Sequence, residues 1–168
     1  MIRLEDFLYR GKREGYASNK PPITLKDEPG TKVYRYNEES LRSGLEYRLD
    51  YEDKYRGYYS FFGTEKVWKD QREAWMMSYS GRMLPGYKRP DFTEKTYSFL
   101  REALKNVPRT KPIRGPKRFT LNKDFKDFVY INSIEGDVHF FRGTEIIFFK
   151  GKEVYRCNYA GGSILHKD

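Results

Sequence analysis

The sequence predicts an α+β protein built as two pseudo-symmetric helix-plus-four-strand repeats, with antiparallel sheets forming the core and two helices covering them. Three observations carry this prediction. Residues 61–84 return at a constant offset of 80: Phe61, Gly63, Thr64, Glu65, Glu73, Tyr79 and Gly81 recur as Phe141, Gly143, Thr144, Glu145, Glu153, Tyr159 and Gly161. Those are seven identities in 24 ungapped positions, where average residue usage gives roughly one or two. Such a period marks a duplicated supersecondary unit. Secondly, the apolar spacing switches from helical to alternating twice along the chain. Thirdly, aromatic residues make up 17% of the 168 residues, so a core of large rings is available although mean hydropathy is only −0.90.

The elements follow in order. Met1 to Arg13 reads as an amphipathic helix, with Ile2, Leu4, Phe7, Leu8 and Gly11 near a 3.6 spacing and Gly11 or Gly15 as the stop. Residues 18–44 are rich in Pro, Gly, Ser, Asn and charge, which predicts a long connection holding one short strand at Lys32–Tyr36. Leu45, Tyr47, Leu49 and Tyr51 alternate with polar residues as in a half-buried strand. Strands are then expected at Gly57–Phe62, Thr64–Lys69 and Arg72–Ser80, with Asp70-Gln71 as a turn and Gly63 and Gly143 marking a bulge or bend. Pro85 to Pro90 reads as a linker. Asp91 to Val107 reads as the second helix, with Thr93 as N-cap, Tyr97, Leu100, Ala103, Leu104 and Val107 on one face, and Pro108 as terminator. A turn-rich loop at Pro112–Lys117 precedes strands at Asp127–Ile134, Val138–Arg142, Thr144–Phe149 and Glu153–Tyr159, with Glu135-Gly136-Asp137 and Lys150-Gly151 as turns.

This divides the chain into a first half at 1–84, a linker at 85–92 and a second half at 93–168, forming one unit. Between Leu8 and Phe61 lie 52 residues, against 40 between Leu100 and Phe141. The 12 extra residues are assigned to the 18–44 loop, a natural place for function.

The net charge of +9 and pI of about 9.5 admit two readings. One is a nucleic-acid or other polyanion partner. The other is a charged surface with a modest cationic excess, since the Lys and Arg residues are spread without a long run. The single Cys157 excludes an internal disulfide and a cysteine metal cluster. With no apolar run of membrane-spanning length and no signal-peptide core, no membrane partner is expected and a cytoplasmic location is.

Several stretches resemble a known family when taken in order: Phe7-Leu8 with Tyr16-Ala17, Tyr51 to Tyr55, Phe62-Gly63-Thr64-Glu65 with Trp68-Lys69, Trp75 to Arg82, Phe99 to Pro108, Arg114-Gly115-Pro116, and Val154 to Ile164. Together they resemble the DUF5680-like domains of unknown function, an uncharacterised prokaryotic family found alone or behind helix-turn-helix regulator domains. The likeness covers nearly the whole chain. The 18–44 segment departs from the family pattern, which often carries Ser-Arg-Pro and a nearby His. The resemblance implies a regulatory or ligand-sensing module and assigns no catalytic residue.

Alternation places Glu65 on the strand face of Phe61, Gly63 and Val67, and Glu145 on that of Phe141, Gly143 and Ile147. If those faces point inward, both carboxylates are buried, which is costly unless they are paired. One reading is a pseudo-symmetric pocket in which Glu65 and Glu145, with Tyr79, Tyr159 and Trp68, meet a cationic or hydrogen-bond-donating ligand. The plainer reading pairs each Glu with Tyr51, Tyr79, Tyr159 or an Arg that fastens the repeat, or leaves it at a strand edge in solvent. A third makes the two an acid/base pair, which one Glu per repeat suits less well. Arg82 and Arg114 are candidate anion contacts, with structural ion pairs as the alternative. His139 and His166 are isolated, so no metal site is expected, and Cys157 reads as an inert buried thiol. Phosphate loops, nucleophile elbows and dinucleotide fingerprints are not found, so neither a cofactor nor a catalytic residue is assigned. The expected function is a non-enzymatic binding module for an unknown small molecule, with nucleic-acid binding as the alternative.

Overall fold

The computed structural model describes the backbone of residues 2–42 and 45–167, and the side chains of all these except 40–42 and 45. In chain order the elements are α1 (Leu4–Glu14), β1 (Ile23–Leu25), β2 (Glu28–Arg42), β3 (Leu45–Gly57), β4 (Ser60–Lys69), β5 (Arg72–Met83), α2 (Pro90–Lys105), β6 (Arg118–Phe119), β7 (Phe128–Asp137), β8 (Phe140–Phe149) and β9 (Lys152–Ser163). The strands form one antiparallel sheet in the order β1-β2-β3-β4-β5-β9-β8-β7-β6. The chain thus walks from one edge to the centre, crosses through α2 to the other edge, and walks back. At the centre β5 pairs with β9, Tyr79 opposite Tyr159. A single continuous sheet replaces the separate sheets expected from the sequence.

Helix α1 carries Glu5 and Asp6 in its first turn and Lys12 and Arg13 in its last, matching the helix dipole. Its buried stripe is Phe7, Leu8, Gly11 and Lys12. Gly11 sits where a Cβ would come within 3.0 Å of the Tyr51 ring, so its bareness lets the helix lie close on β3. Helix α2 starts at Pro90 and buries Thr96, Tyr97, Phe99, Leu100, Ala103 and Leu104. Trp75, Met77, Tyr130, Tyr155 and Ile147 join Phe7 and Leu100 in the core beside them. On the opposite face of the sheet Phe62 and Phe140 stand exposed, with Ser78, Asn158 and Ala160 between.

Several expected boundaries shift. The 18–44 segment is mostly sheet: it holds β1 and the whole of the hairpin arm β2, which contains the short strand expected at Lys32–Tyr36 and extends it at both ends. The charges that suggested a loop are cross-strand partners of β3, such as Arg35 with Glu52 and Glu28 with Lys54. The expected inward position of Leu45 lies outside the described side chains. Gly57–Phe62 is interrupted by the turn at Tyr58-Tyr59, and β7 runs through Glu135-Gly136-Asp137 to turn at Val138-His139. Thr93 is not the N-cap of α2. It lies a turn inside, buried, its amide bonded to the carbonyl of Arg89, which occupies the cap. The helix ends at Lys105, two residues before Val107. The turns at Asp70-Gln71 and Lys150-Gly151 do form, each with both residues at positive φ as a two-residue hairpin requires.

Gly63 and Gly143 are not bulges. The register shifts fall four residues on, between Val67 and Trp68 and between Ile147 and Phe148. Each glycine instead lies beneath a cross-strand tyrosine. A Cβ on Gly63 would stand 2.4 Å from the Tyr79 hydroxyl, and one on Gly143 would stand 2.3 Å from that of Tyr159. The repeated Gly-Thr-Glu therefore clears the path for a tyrosine and supplies a buried carboxylate two residues later.

Candidate functional site

Alternation along β4 and β8 turns Glu65 and Glu145 toward the helices, where they are 3% and 0% exposed. Each sits against a cation from a different element. Lys12, which closes the buried stripe of α1, makes a close ion pair with Glu65. Arg114, from the loop before β6, lies between the two glutamates. Its Nη1 is 3.9 Å from Glu65 Oε1, and its Nε donates to Glu145 Oε2 at 3.0 Å while Nη2 donates to the other oxygen. The result is a buried chain of alternating charge, Lys12–Glu65–Arg114–Glu145.

The Glu145 end is saturated. The hydroxyls of Tyr130 and Tyr155 also donate to it, at 2.7 and 2.8 Å. Tyr130 in turn accepts from the Gly115 amide, and Asn132 donates to the Gly115 carbonyl at 2.9 Å, so the 112–117 loop is stitched to β7. Arg114 holds a left-handed φ of 57° to present its side chain this way. Burial alone would depress the pKa of this guanidinium, but the Glu145 carboxylate beside it wins and holds it well above its usual range.

Asp53 is different. It faces Glu65 across β3 and β4, is 5% exposed, and accepts a 2.5 Å hydrogen bond from the Tyr79 hydroxyl. Lys12 and Arg114 already balance the two glutamates, so an ionised Asp53 would be a third negative charge with no cation of its own. Burial first, then the charge of Glu65, raises its pKa from 3.8 to about 7. Asp53 and Arg114 both border a cavity of about 70 Å³ between the sheet and α2, walled also by Tyr16, Tyr55, Tyr97 and Arg101. Burial raises the Tyr16 phenol to about 12, so this wall residue stays a neutral hydrogen-bonding group. The Arg101 guanidinium lies 4.9 Å over the Tyr16 ring.

A family model described as a domain of unknown function (DUF5680) matches residues 53–164. The chain belongs to this family. No curated protein and no solved structure matches it. The DUF5680 match begins at Asp53 itself and takes in Glu65, Tyr79, Arg101, Arg114 and Glu145. It leaves out Lys12, Tyr16 and Lys32, which complete the cluster from α1, the turn after it and β2.

Of the residues singled out by sequence, Glu65, Glu145, Tyr79 and Arg114 come together. They do so around a guanidinium, and the buried carboxyl that borders the cavity under α2 is Asp53. Tyr159 is buried beside them and donates to Asn132. Trp68 does not join: beyond the register shift it lies half-buried against Lys66, in a groove with Arg35, Arg48 and Gln71. Arg82 is exposed on β5, opposite Arg156 on β9, and does not line the cavity. Cys157 is fully buried, which pushes its thiol up to about 12, the range of an unreactive group. His139 bonds Ser163 and His166 bonds the Glu73 carbonyl, and no cluster able to hold a metal occurs among the described residues.

Lys12, Asp53, Asn132 and Arg101 were missed. Two had a signal. Asp53 follows Leu49 and Tyr51 at the inward period of β3, and Lys12 follows Phe7, Leu8 and Gly11 on the buried side of α1.

Proposed function

We propose that this chain is a small-ligand-binding module of sensing or regulatory type, with its pocket at the cavity under α2. The observation that carries this reading is the pairing of a ring-lined cavity with Asp53, a buried carboxyl that has no cation of its own. Pockets with a few convergent polar groups among aromatic walls are where small molecules bind, and perturbed carboxyls gather there.

We read the chain as two duplicated halves meeting at the Tyr79–Tyr159 pair. In support, Tyr51, Asp53, Glu65, Tyr79 on one side and Tyr130, Asn132, Glu145, Tyr159 on the other occupy matching places in their ladders. We read the module as non-enzymatic, since both glutamates are occupied by cations and Asp53 has no nucleophile beside it. A cytoplasmic location fits the unpaired Cys157. The net charge of +9 favours nucleic acid as the competing partner. Against it, Arg35, Lys54, Lys66, Arg142 and Arg156 are each in an ion pair with a carboxylate.

The test is a protein-observed NMR screen of small metabolites on the full chain, run beside an oligonucleotide titration at low and near-physiological salt. Saturable shifts centred on Tyr16, Tyr55 and Arg101 are expected. Oligonucleotide binding that weakens steeply with salt, with no metabolite touching those residues, would replace this reading with the nucleic-acid one.

A further inference from the structure

The geometry points to a short-chain organic acid as the ligand, its carboxylate gripped by Arg101 with Lys32 alongside. This rests on the pocket reading above and adds the sign and size of what enters.

The first observation is that two cations on the cavity wall stand without a carboxylate partner among the described residues. Arg10, Arg35, Arg109, Arg114 and Arg156 each hold a carboxylate within ion-pair distance. Among the described residues Arg101 and Lys32 hold none, yet both border the cavity. Each lies over a wall ring, Arg101 on Tyr16 and Lys32 Nζ 5.8 Å from the centre of Tyr55. A guanidinium lying over a ring can keep N–H groups free, and these match the two oxygens of a carboxylate. Glu94, the other acidic group on the wall, accepts a 2.5 Å hydrogen bond from Tyr58 and does not reach Arg101 as an ion pair.

Size comes next. At about 10–15 Å³ for each water-sized position, 70 Å³ holds about five to seven non-hydrogen atoms. That fits a short acid. The inner wall suits the far end of such a molecule. Among the described residues the Tyr16 hydroxyl makes no hydrogen bond, and Asp53, protonated up to about pH 7, can donate to a keto or hydroxyl oxygen without repelling the acid.

The experiment uses the full chain labelled with ¹⁵N, observing backbone amides and the arginine Nε–H signals. Three isosteres are titrated: propionate, propionamide and propylammonium. Propionate is expected to shift Arg101 Nε and the cavity amides saturably, and at least about tenfold more tightly than the amide, as a charge-assisted pair requires. Arg101→Gln should erase that preference while leaving the spectrum remote from the cavity unchanged, which also shows that the variant folds. Equal binding of propionate and propionamide would overturn the anion assignment and leave the pocket standing. Preference for propylammonium would overturn it too, making Asp53 the head-group ligand. No shift of any cavity residue by any of the three would overturn the pocket itself.

Discussion

Glu145 faces Asn132 across β7 and β8, whereas Glu65 faces Asp53 across β3 and β4. Both glutamates are buried, both border Arg114, and each partner accepts a hydrogen bond from a tyrosine lying over a glycine, Tyr159 over Gly143 and Tyr79 over Gly63. The chemistry differs by one group. The Asn132 amide accepts from Tyr159 and donates to the Gly115 carbonyl, so its site is closed and electrically neutral. The Asp53 carboxyl has no group to donate when ionised and stands next to a cavity. The first site therefore fastens a loop to the sheet. The second keeps a carboxyl without a cation of its own, protonated up to about pH 7, beside a space that a ligand can enter. Where two sites share a scaffold, the one with the less comfortable residue is the better functional candidate.

The largest effect should come from breaking the closed site. Glu145→Gln removes the charge that compensates Arg114 and leaves the guanidinium buried with only Glu65 at 3.9 Å. Losing one partner of a buried pair costs about 3–5 kcal/mol, measurable by urea unfolding. A loss under about 1 kcal/mol would mean that Glu65 takes over Arg114, and that the two sites are interchangeable.

The open site should respond in the opposite direction. Asp53 has a folded pKa of about 7 against an ordinary 3.8. Below the lower value both states are protonated and nothing is lost. As pH rises through the window the unfolded chain releases its proton first, so stability falls until the folded group ionises near pH 7. Asp53→Asn should remove this loss. It should be nearly neutral near pH 4 and stabilise by up to about 4 kcal/mol above pH 7, about three pKa units at about 1.4 kcal/mol each. The mirror change, Asn132→Asp, should destabilise at neutral pH, because a carboxylate would face the Gly115 carbonyl. Thermal unfolding across pH reads both. If Asp53→Asn shifts stability equally at pH 4 and pH 8, its effect is packing and the contrast between the sites collapses.

How far this was legible in the sequence follows from the same residues. The turns at Asp70-Gln71 and Lys150-Gly151 and the burial of Glu65 and Glu145 follow from local rules of period and turn chemistry. The single sheet did not, because nothing local to β5 or β9 says that Tyr79 will pair with Tyr159. Only the middle of β2, Lys32–Tyr36, was legible, because its outward positions carry charges whose partners lie on β3, and a charged stretch with Pro29 and Gly30 reads as a loop until those partners are known. Arg114 was noticed only as a cation in a turn-rich stretch. Its role depends on a left-handed backbone and on two strands that meet only in the folded chain. The cavity belongs to no element, since Tyr16, Asp53 and Arg101 come from three separate segments.

The smallest and sharpest test concerns the glycines. At both sites an added methyl must displace the tyrosine crossing above it, and overpacking of this kind typically costs about 1–3 kcal/mol. The surroundings differ in what can yield. At Gly63 the nearest atoms are the ring and hydroxyl of Tyr79, both at 2.4 Å, and the Cβ of Tyr55 at 2.7 Å, which its backbone holds in place. At Gly143 the Tyr159 ring and hydroxyl lie as close, and the fixed atom is the Ser133 carbonyl oxygen of β7 at 2.6 Å. Gly143→Ala should therefore cost at least as much as Gly63→Ala in urea unfolding. Gly63→Ala should in addition weaken propionate binding, because Tyr79 borders the cavity and any shift of its ring loosens its bond to Asp53. Equal stability losses with unchanged binding would mean that the space under α2 gives no slack, and that both sites are equally structural.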